Sequence, residues 1–387
     1  MDCNTLLCIL GYATFGLLDV VFANFWITGA AIDCNATTIL VSNQQDADAL
    51  KQCVDTNSII TRTNDGNITL TAEASGSITI PNYGQLKSSI IVENNSLLKS
   101  LTLECDGGFW TSQILIRNAS ALQSIVARGS IVSPLNFTLD NLPALETVDM
   151  GLVSPVHDFR LMNLPKLQKI SVDDPTFIIT ENLIVEDVGL ESLDAFFIAT
   201  RTPRNVFVRG IPNVSALTYA IREAANVTII GNGALAMKFN CTKCGDDAIN
   251  RKRIRRAESL TVSGLSSLSR DNSTAFTGGY IDNLSIGTFK AIGNSFTTLP
   301  LDFDGLSALY VQDNPNLTSL LHNTEFRFQA FHDLVLSGNP KLRLSTATQP
   351  SNQTSDVELA GLNSTWVWPT VNASTVILEG IIEDGFM

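Results

Sequence analysis

One pattern recurs down this chain and limits what it can fold into. Two apolar residues stand at i and i+2, an Asn, Asp or Gly follows at i+4, and further aliphatics come after it. Ile114-x-Ile116-x-Asn118, Phe137-x-Leu139-x-Asn141, Phe159-x-Leu161-x-Asn163 and Leu183-x-Val185-x-Asp187 are successive copies. The series begins at Asn94 and continues through Gly210, Gly231, Gly264, Gly293, Asp313, Gly338, Gly361 and Gly380. A shorter copy, Ile78-x-Ile80-x-Asn82, precedes it. The i+4 residues recur roughly every 20–25 positions, with two longer gaps, which is the length of one solenoid coil. The strongest internal match pairs LDNLPALETV (139–148) with LMNLPKLQKI (161–170).

Alternating apolar residues make a short strand with one buried face. Asn, Asp and Gly tolerate positive φ, so they end that strand in a turn. The aliphatics that follow lie on a second side of the coil. A single coil cannot bury its own apolar face, whereas stacked coils share a continuous core beneath a long parallel sheet. The expected fold is therefore mainly β: an irregular, right-handed β-solenoid with little helix. It is related to leucine-rich repeats but has a loose L-x-x-L segment.

The register breaks between Gly231 and Gly264, around CTKCGDDAINRKRIRR (241–256). That break divides the chain into two similar solenoid lobes, 57–235 and 259–380, joined by an exposed basic insertion at 236–258. Residues 32–56 form an N-terminal cap and 381–387 a short tail. Near the end, WVWP (366–369) reads as an aromatic cap over the last coil, or alternatively as an exposed ligand contact.

Composition narrows the function. Hydrophobic residues make up 44% and charged residues 16%, which excludes a disordered chain and a long coiled coil. The net charge of −13 excludes a nucleic-acid binder, which needs a basic surface to neutralise phosphates. Residues 1–31 are apolar, end in small residues and contain no Lys or Arg, the first of which is Lys51. They read as a cleaved secretory signal in preference to an uncleaved anchor.

Sequons agree with secretion. N-x-S/T begins at Asn35, Asn67, Asn94, Asn118, Asn136, Asn213, Asn226, Asn240, Asn272, Asn283, Asn316, Asn352, Asn363 and Asn372. That is 14 of 31 Asn, against roughly five expected by chance, so an N-glycosylated surface is expected. Asn94 and Asn118 are at once turn positions and sequons: either those turns face outward or the two sequons are silent. Five Cys follow residue 31. Cys34 and Cys53 flank a short helical pattern with Ser42 as N-cap and Ala47 and Leu50 on one face, and a disulfide would close that cap. Cys241 and Cys244 form a lone C-x-x-C, read as a small local disulfide, since neither a second zinc-ligand pair nor a thioredoxin-like context accompanies it. Cys105 is left over.

Catalytic signatures are sparse. The three His are His157, His322 and His332, and no G-x-S-x-G, H-E-x-x-H or phosphate-binding Gly loop occurs. Asp246-Asp247 resembles the paired carboxylates of β-solenoid polygalacturonases, and Asp302 and Asp304 share one strand face, but the G-H-G that such enzymes need is missing. The expectation is no catalytic residues, no metal site and no cofactor. The basic run that includes Lys252, Arg253, Arg255 and Arg256 is either a solvated loop, a contact for acidic polymers, or a dibasic processing site.

The Cys34–Cys53 opening with QQDADALKQC, the strands ITI (78–80) and IIVENNSLLKSL (90–101), and the repeated NLPxL together resemble a fungal family. It comprises the cell-wall-organisation proteins with receptor L-domain-like leucine-rich repeats, commonly glycosylphosphatidylinositol-anchored. The resemblance covers roughly residues 34–380. It implies a secreted glycoprotein of the cell wall or the outer face of the plasma membrane. Such a protein would support wall integrity by scaffolding or by binding wall polysaccharides or wall proteins, without catalysis. Family members usually finish with a Ser/Thr-rich stalk and an apolar tail, so membrane association is expected only if an anchor signal lies beyond Met387. The alternatives are a wall-directed glycosidase and a ligand-recognising ectodomain.

Overall fold

A computed structural model describes residues 32, 36–50, 66–81, 88–110, 113–132, 136–152, 156–172, 179–193, 203–219, 223–239, 255–270, 284–300, 306–321, 333–346, 357–359, 375–379 and 382–383. They form a β-solenoid. Its spine is a 15-stranded sheet: 14 strands follow one another in parallel from Thr38–Val41 through to Thr375–Glu379, and Ala216–Tyr219 pairs beside Glu223–Phe239. A second parallel sheet of five strands backs the N-terminal coils, running from Gly76–Ile80 to Lys169–Val172.

The alternation seen in the sequence sets the register. Ile114, Phe137, Phe159, Leu183 and Val206 pair in one line across the long sheet, and Ile116, Leu139, Leu161, Val185 and Val208 in the next. Every one of them is buried. At the centre the Phe137 and Phe159 rings stack 4.9 Å apart at 14°, both fully buried. Opposite them Ile78, Leu101, Ile125, Val148 and Ile170 align on the inner face of the second sheet. One apolar layer thus runs between two ladders of strands. Fully burying each large aliphatic or aromatic side chain contributes about 1.5–3 kcal/mol.

The turn residues adopt the backbone their chemistry favours. Asn94, Asn118, Asn141, Asn163, Asp187 and Asp313 have φ between 53° and 56°, and Gly210, Gly264, Gly293 and Gly338 between 62° and 65°. The next residue but two then folds back: Leu122 N–H donates to Ala119, Leu145 to Leu142, Leu167 to Leu164 and Val214 to Ile211, at 3.1–3.3 Å. Pro143, Pro165 and Pro212 sit inside this tight turn, where a fixed φ costs nothing. This explains the NLPxL repeat.

Three expectations are corrected: the place of Ile78-x-Ile80, the turn at Gly231 and the helix N-cap. Ile78-x-Ile80 is no coil opening but a strand of the second sheet, and the first two rungs of the long sheet are Ile39-x-Val41 and Ile68-x-Leu70. Both kinds of strand bury alternate residues, so the pattern alone does not separate them. The positive φ falls on Gly233 (88°), not Gly231, because the register between Glu223–Phe239 and Arg255–Arg270 shifts after Ile230. Gly231 is required for a different reason: a Cβ there would lie 2.6 Å from the Gly264 carbonyl oxygen. Strand covers both ends of the segment 236–258, in Glu223–Phe239 and Arg255–Arg270, which pair in parallel; residues 240–254 lie outside the described residues. The two lobes are therefore halves of one sheet.

The N-terminal cap is the short helix Gln44–Ala49, with Asn43 rather than Ser42 as N-cap. Asn43 Oδ1 accepts from Asp46 N–H at 3.0 Å, while Asp46 Oδ2 accepts from Ser42 N–H at 2.8 Å. Such reciprocal bonds satisfy donors that a helix start leaves open. The helix buries Ala47 and Leu50 on the core, as their spacing predicts. Its Gln44 closes the outer edge of the second sheet: Oε1 accepts from Thr79 N–H (2.7 Å) and Nε2 donates to Thr79 C=O (3.0 Å). One side-chain amide here replaces a neighbouring strand, which is how an edge is kept from pairing with another chain.

Candidate functional site

A strand that turns alternate residues inward must turn the others outward. On the long sheet those residues form three columns. The first holds Thr38, Asn67, Ser89, Gln113, Asn136, Asp158, Asn182, Asn205, Asn226, Ser259, Thr288, Ala308 and Asp333, in register from coil to coil. All but Ala308 are polar. At about 4.8 Å per strand the column runs for some ~60 Å. Polar residues thus follow the solenoid axis on this sheet face from Thr38 to Thr288, and again at Asp333.

Within it the amides bond to one another. Asn226 Nδ2 donates to Asn205 Oδ1 at 3.0 Å, Asn205 to Asn182 at 2.9 Å, and Asn182 to Asp158 Oδ1. Asp158 also pairs with Arg160 at 3.5 Å. The middle column is mixed, with half-buried Ile184 and Phe207 beside Arg160, and Lys290 and Tyr310 further along. The third column carries the ion pairs Glu93–Arg117 (2.8 Å) and Glu186–Arg209. Exposed pairs of this kind add about 0–1 kcal/mol, so they level the surface charge more than they stabilise the fold.

Further along, Tyr310 O–H donates to Asp333 Oδ2 at 2.8 Å, and Lys290 Nζ stands 5.0 Å from the Tyr310 ring centroid. The hydrogen bond to Asp333 raises the Tyr310 pKa above the usual 10.0, and burial and the Asp333 charge push it the same way.

A separate ladder follows the turns. Asn118 Nδ2 donates to Asn94 Oδ1 (3.0 Å) and Asn141 to Asn118 (2.8 Å), all three exposed. The Asn94 and Asn118 turns thus face outward. A third ladder is fully internal and made of other residues. Asn294, Asn314 and Asn339 are buried one residue after a turn, linked side chain to side chain at 3.0 Å, and hold the buried backbone of neighbouring coils. Buried Asn95 does the same at the N-terminal end, reaching the Thr71 and Ala74 carbonyls.

The asparagines sort cleanly between these settings. The described sequons start at Asn67, Asn94, Asn118, Asn136, Asn213, Asn226 and Asn316, and each is exposed or half-buried. None of the four buried asparagines, Asn95, Asn294, Asn314 and Asn339, begins a sequon. The sequons at Asn35, Asn240, Asn272, Asn283, Asn352, Asn363 and Asn372 lie outside the described residues, as do Cys34, Cys53, Cys241, Cys244, Lys252, Arg253 and WVWP (366–369). Arg255 and Arg256 begin a strand whose backbone pairs with Leu284 and Ser285. The carboxylates weighed for catalysis, Asp246, Asp247, Asp302 and Asp304, also fall outside, with His322 and His332, while His157 is exposed.

The sequence carried a signal for the amide column: the residue just before the first apolar of each copy is Asn, Asp, Gln, Ser or Thr, except at Ala308. Among the described residues no cluster of His, Cys, Asp and Glu is arranged to hold a metal ion, and no helix is long and apolar enough to cross a membrane. No known protein family, curated protein sequence or solved structure matches this chain.

Proposed function

We propose that this chain is a secreted, N-glycosylated scaffold of the fungal cell surface, acting in wall organisation without catalysis. Its long sheet would hold wall polysaccharides or wall proteins. The observation that carries this reading is the outward face itself: polar along one column but for Ala308, with ion pairs along another, and carried on one sheet from Thr38–Val41 to Thr375–Glu379. Solenoids bind extended partners on surfaces of this kind. The sorting of asparagines supports the secretory part, since every described sequon is placed where an attached glycan leaves the core undisturbed.

The test is expression of the full chain, epitope-tagged, in a fungal secretory host. The expected result is a product that loses mass on enzymatic removal of N-glycans and co-sediments with isolated cell walls. A protein that stays unglycosylated inside the cell, or that leaves washed walls entirely in the supernatant, overturns the reading.

A further inference from the structure

We propose that the three rungs opening at Asp158, Asn182 and Asn205 form a subsite for one strand of an uncharged, extended polysaccharide. The proposal rests on the wall-binding reading above and narrows it to named residues and a ligand class.

The ladder fixes its own donors and acceptors. A side-chain amide carries two N–H donors and two acceptor positions. Asn182 and Asn205 each spend one donor and one acceptor on their neighbours in the ladder. Each rung thus keeps an N–H and a lone pair for the solvent side, held in one orientation by its neighbours. Sugar hydroxyls, which both donate and accept, match such paired groups. The rungs recur about every 4.8 Å, close to the advance of one pyranose along an extended chain, so successive residues of a linear polymer meet equivalent groups. Beside the amides, half-buried Ile184 and Phe207 give the apolar C–H face of a sugar something to pack on.

Charge selects the class. Asp158 is paired with Arg160, and Glu186 with Arg209, so the window presents no unbalanced column of either sign. The chain as a whole carries −13, which disfavours a polyanion. The column's own sequons set the limits. Asn136 and Asn226 begin sequons in the rungs on either side, while Asn182-Leu183-Ile184 and Asn205-Val206-Phe207 do not. The rungs between them begin no sequon of their own.

The experiment uses the full glycosylated chain and linear β-1,3- and β-1,4-linked gluco-oligosaccharides long enough to span three rungs, with binding read by calorimetry. The double variant Asn182→Thr/Asn205→Thr keeps strand propensity and removes the amides. It should bind about tenfold or more weakly than wild type, with little change in melting, because two neutral hydrogen-bonding rungs are lost. Gln312→Thr, a similar change outside the window, should bind as wild type. If wild type binds the oligosaccharides and the double variant binds equally well, the subsite is overturned while wall binding stands. Co-sedimentation with walls but no affinity for neutral glucans also overturns the subsite, in favour of a protein or charged partner. Failure to co-sediment at all overturns both.

Discussion

Replacing Asn314 by alanine tests whether the C-terminal coils are held by buried amides. Asn314 is fully buried. Its Oδ1 accepts from the Asn294 backbone N–H at 2.9 Å, and its Nδ2 reaches the Ala291 carbonyl at 3.0 Å and Asn339 Oδ1 at 3.0 Å. Alanine removes these bonds and leaves the Asn294 N–H and the Ala291 C=O facing apolar neighbours. Two orphaned buried groups at about 1–3 kcal/mol each put the loss near ~4 kcal/mol. That is a large share of the ~5–15 kcal/mol that holds a typical domain together. Solenoid coils couple mainly to their neighbours, so the damage should stay local. Urea unfolding read together with hydrogen exchange is the assay. The strands Ala308–Gln312 and Leu284–Ile292 should exchange faster in the variant, while Asn136–Asp140 keeps wild-type protection. A loss below about 1 kcal/mol, within the range of one ordinary hydrogen bond, would refute the claim that these amides satisfy otherwise stranded backbone.

Gln44→Leu should cost about 2–3 kcal/mol by leaving the Thr79 N–H and C=O unpaired, and should raise self-association in light scattering as the sheet edge opens. At Asn118, where φ is 54°, glycine should be close to neutral in thermal melts, whereas alanine should lose about 1–2 kcal/mol, because Cβ disfavours the left-handed region. Tyr310 should ionise above 10.0 in a spectroscopic titration and return toward that value in Asp333→Ala. The fold favours its neutral phenol, so this stabilisation is complete below pH 10.0 and is lost as the pH rises through the raised value.

Much of the architecture can be read from the chain because its two demands have distinct chemical signatures. Alternating aliphatics mark strands with one dry face, and Asn, Asp or Gly two residues on mark the left-handed turn, as at Phe137-x-Leu139-x-Asn141. Where one signature serves two structures, reading fails. Ile78-x-Ile80 and Ile68-x-Leu70 alternate alike, yet they belong to different sheets, and only the coil around them says which. The buried Asn294, Asn314 and Asn339 hide for the same reason: each directly follows a turn residue, and Asn beside Gly or Asp reads as more turn. Gly231 needs no positive φ, and its role, close approach to Gly264, depends on a residue 33 positions away in another coil.

The outward amide column poses a different question, because folding does not ask for it. Solvent-facing strand positions are best filled by Thr or other β-branched residues, and Asn is disfavoured there. Thr38 and Thr288 show that this column accepts such residues. Yet Asn occupies positions 67, 136, 182, 205 and 226. Sequons account for Asn67, Asn136 and Asn226, but Asn182 and Asn205 begin none. Stacked amides do bond one another and so offset part of their cost to the strand. That argument alone predicts that Asn182 and Asn205 matter to stability and to nothing else. A threonine at either position keeps the strand and removes the amide, so it separates the two roles. If the amides serve only the stack, the threonine variants lose stability and keep binding. If they serve a ligand, the variants keep their melting temperature and lose the ligand.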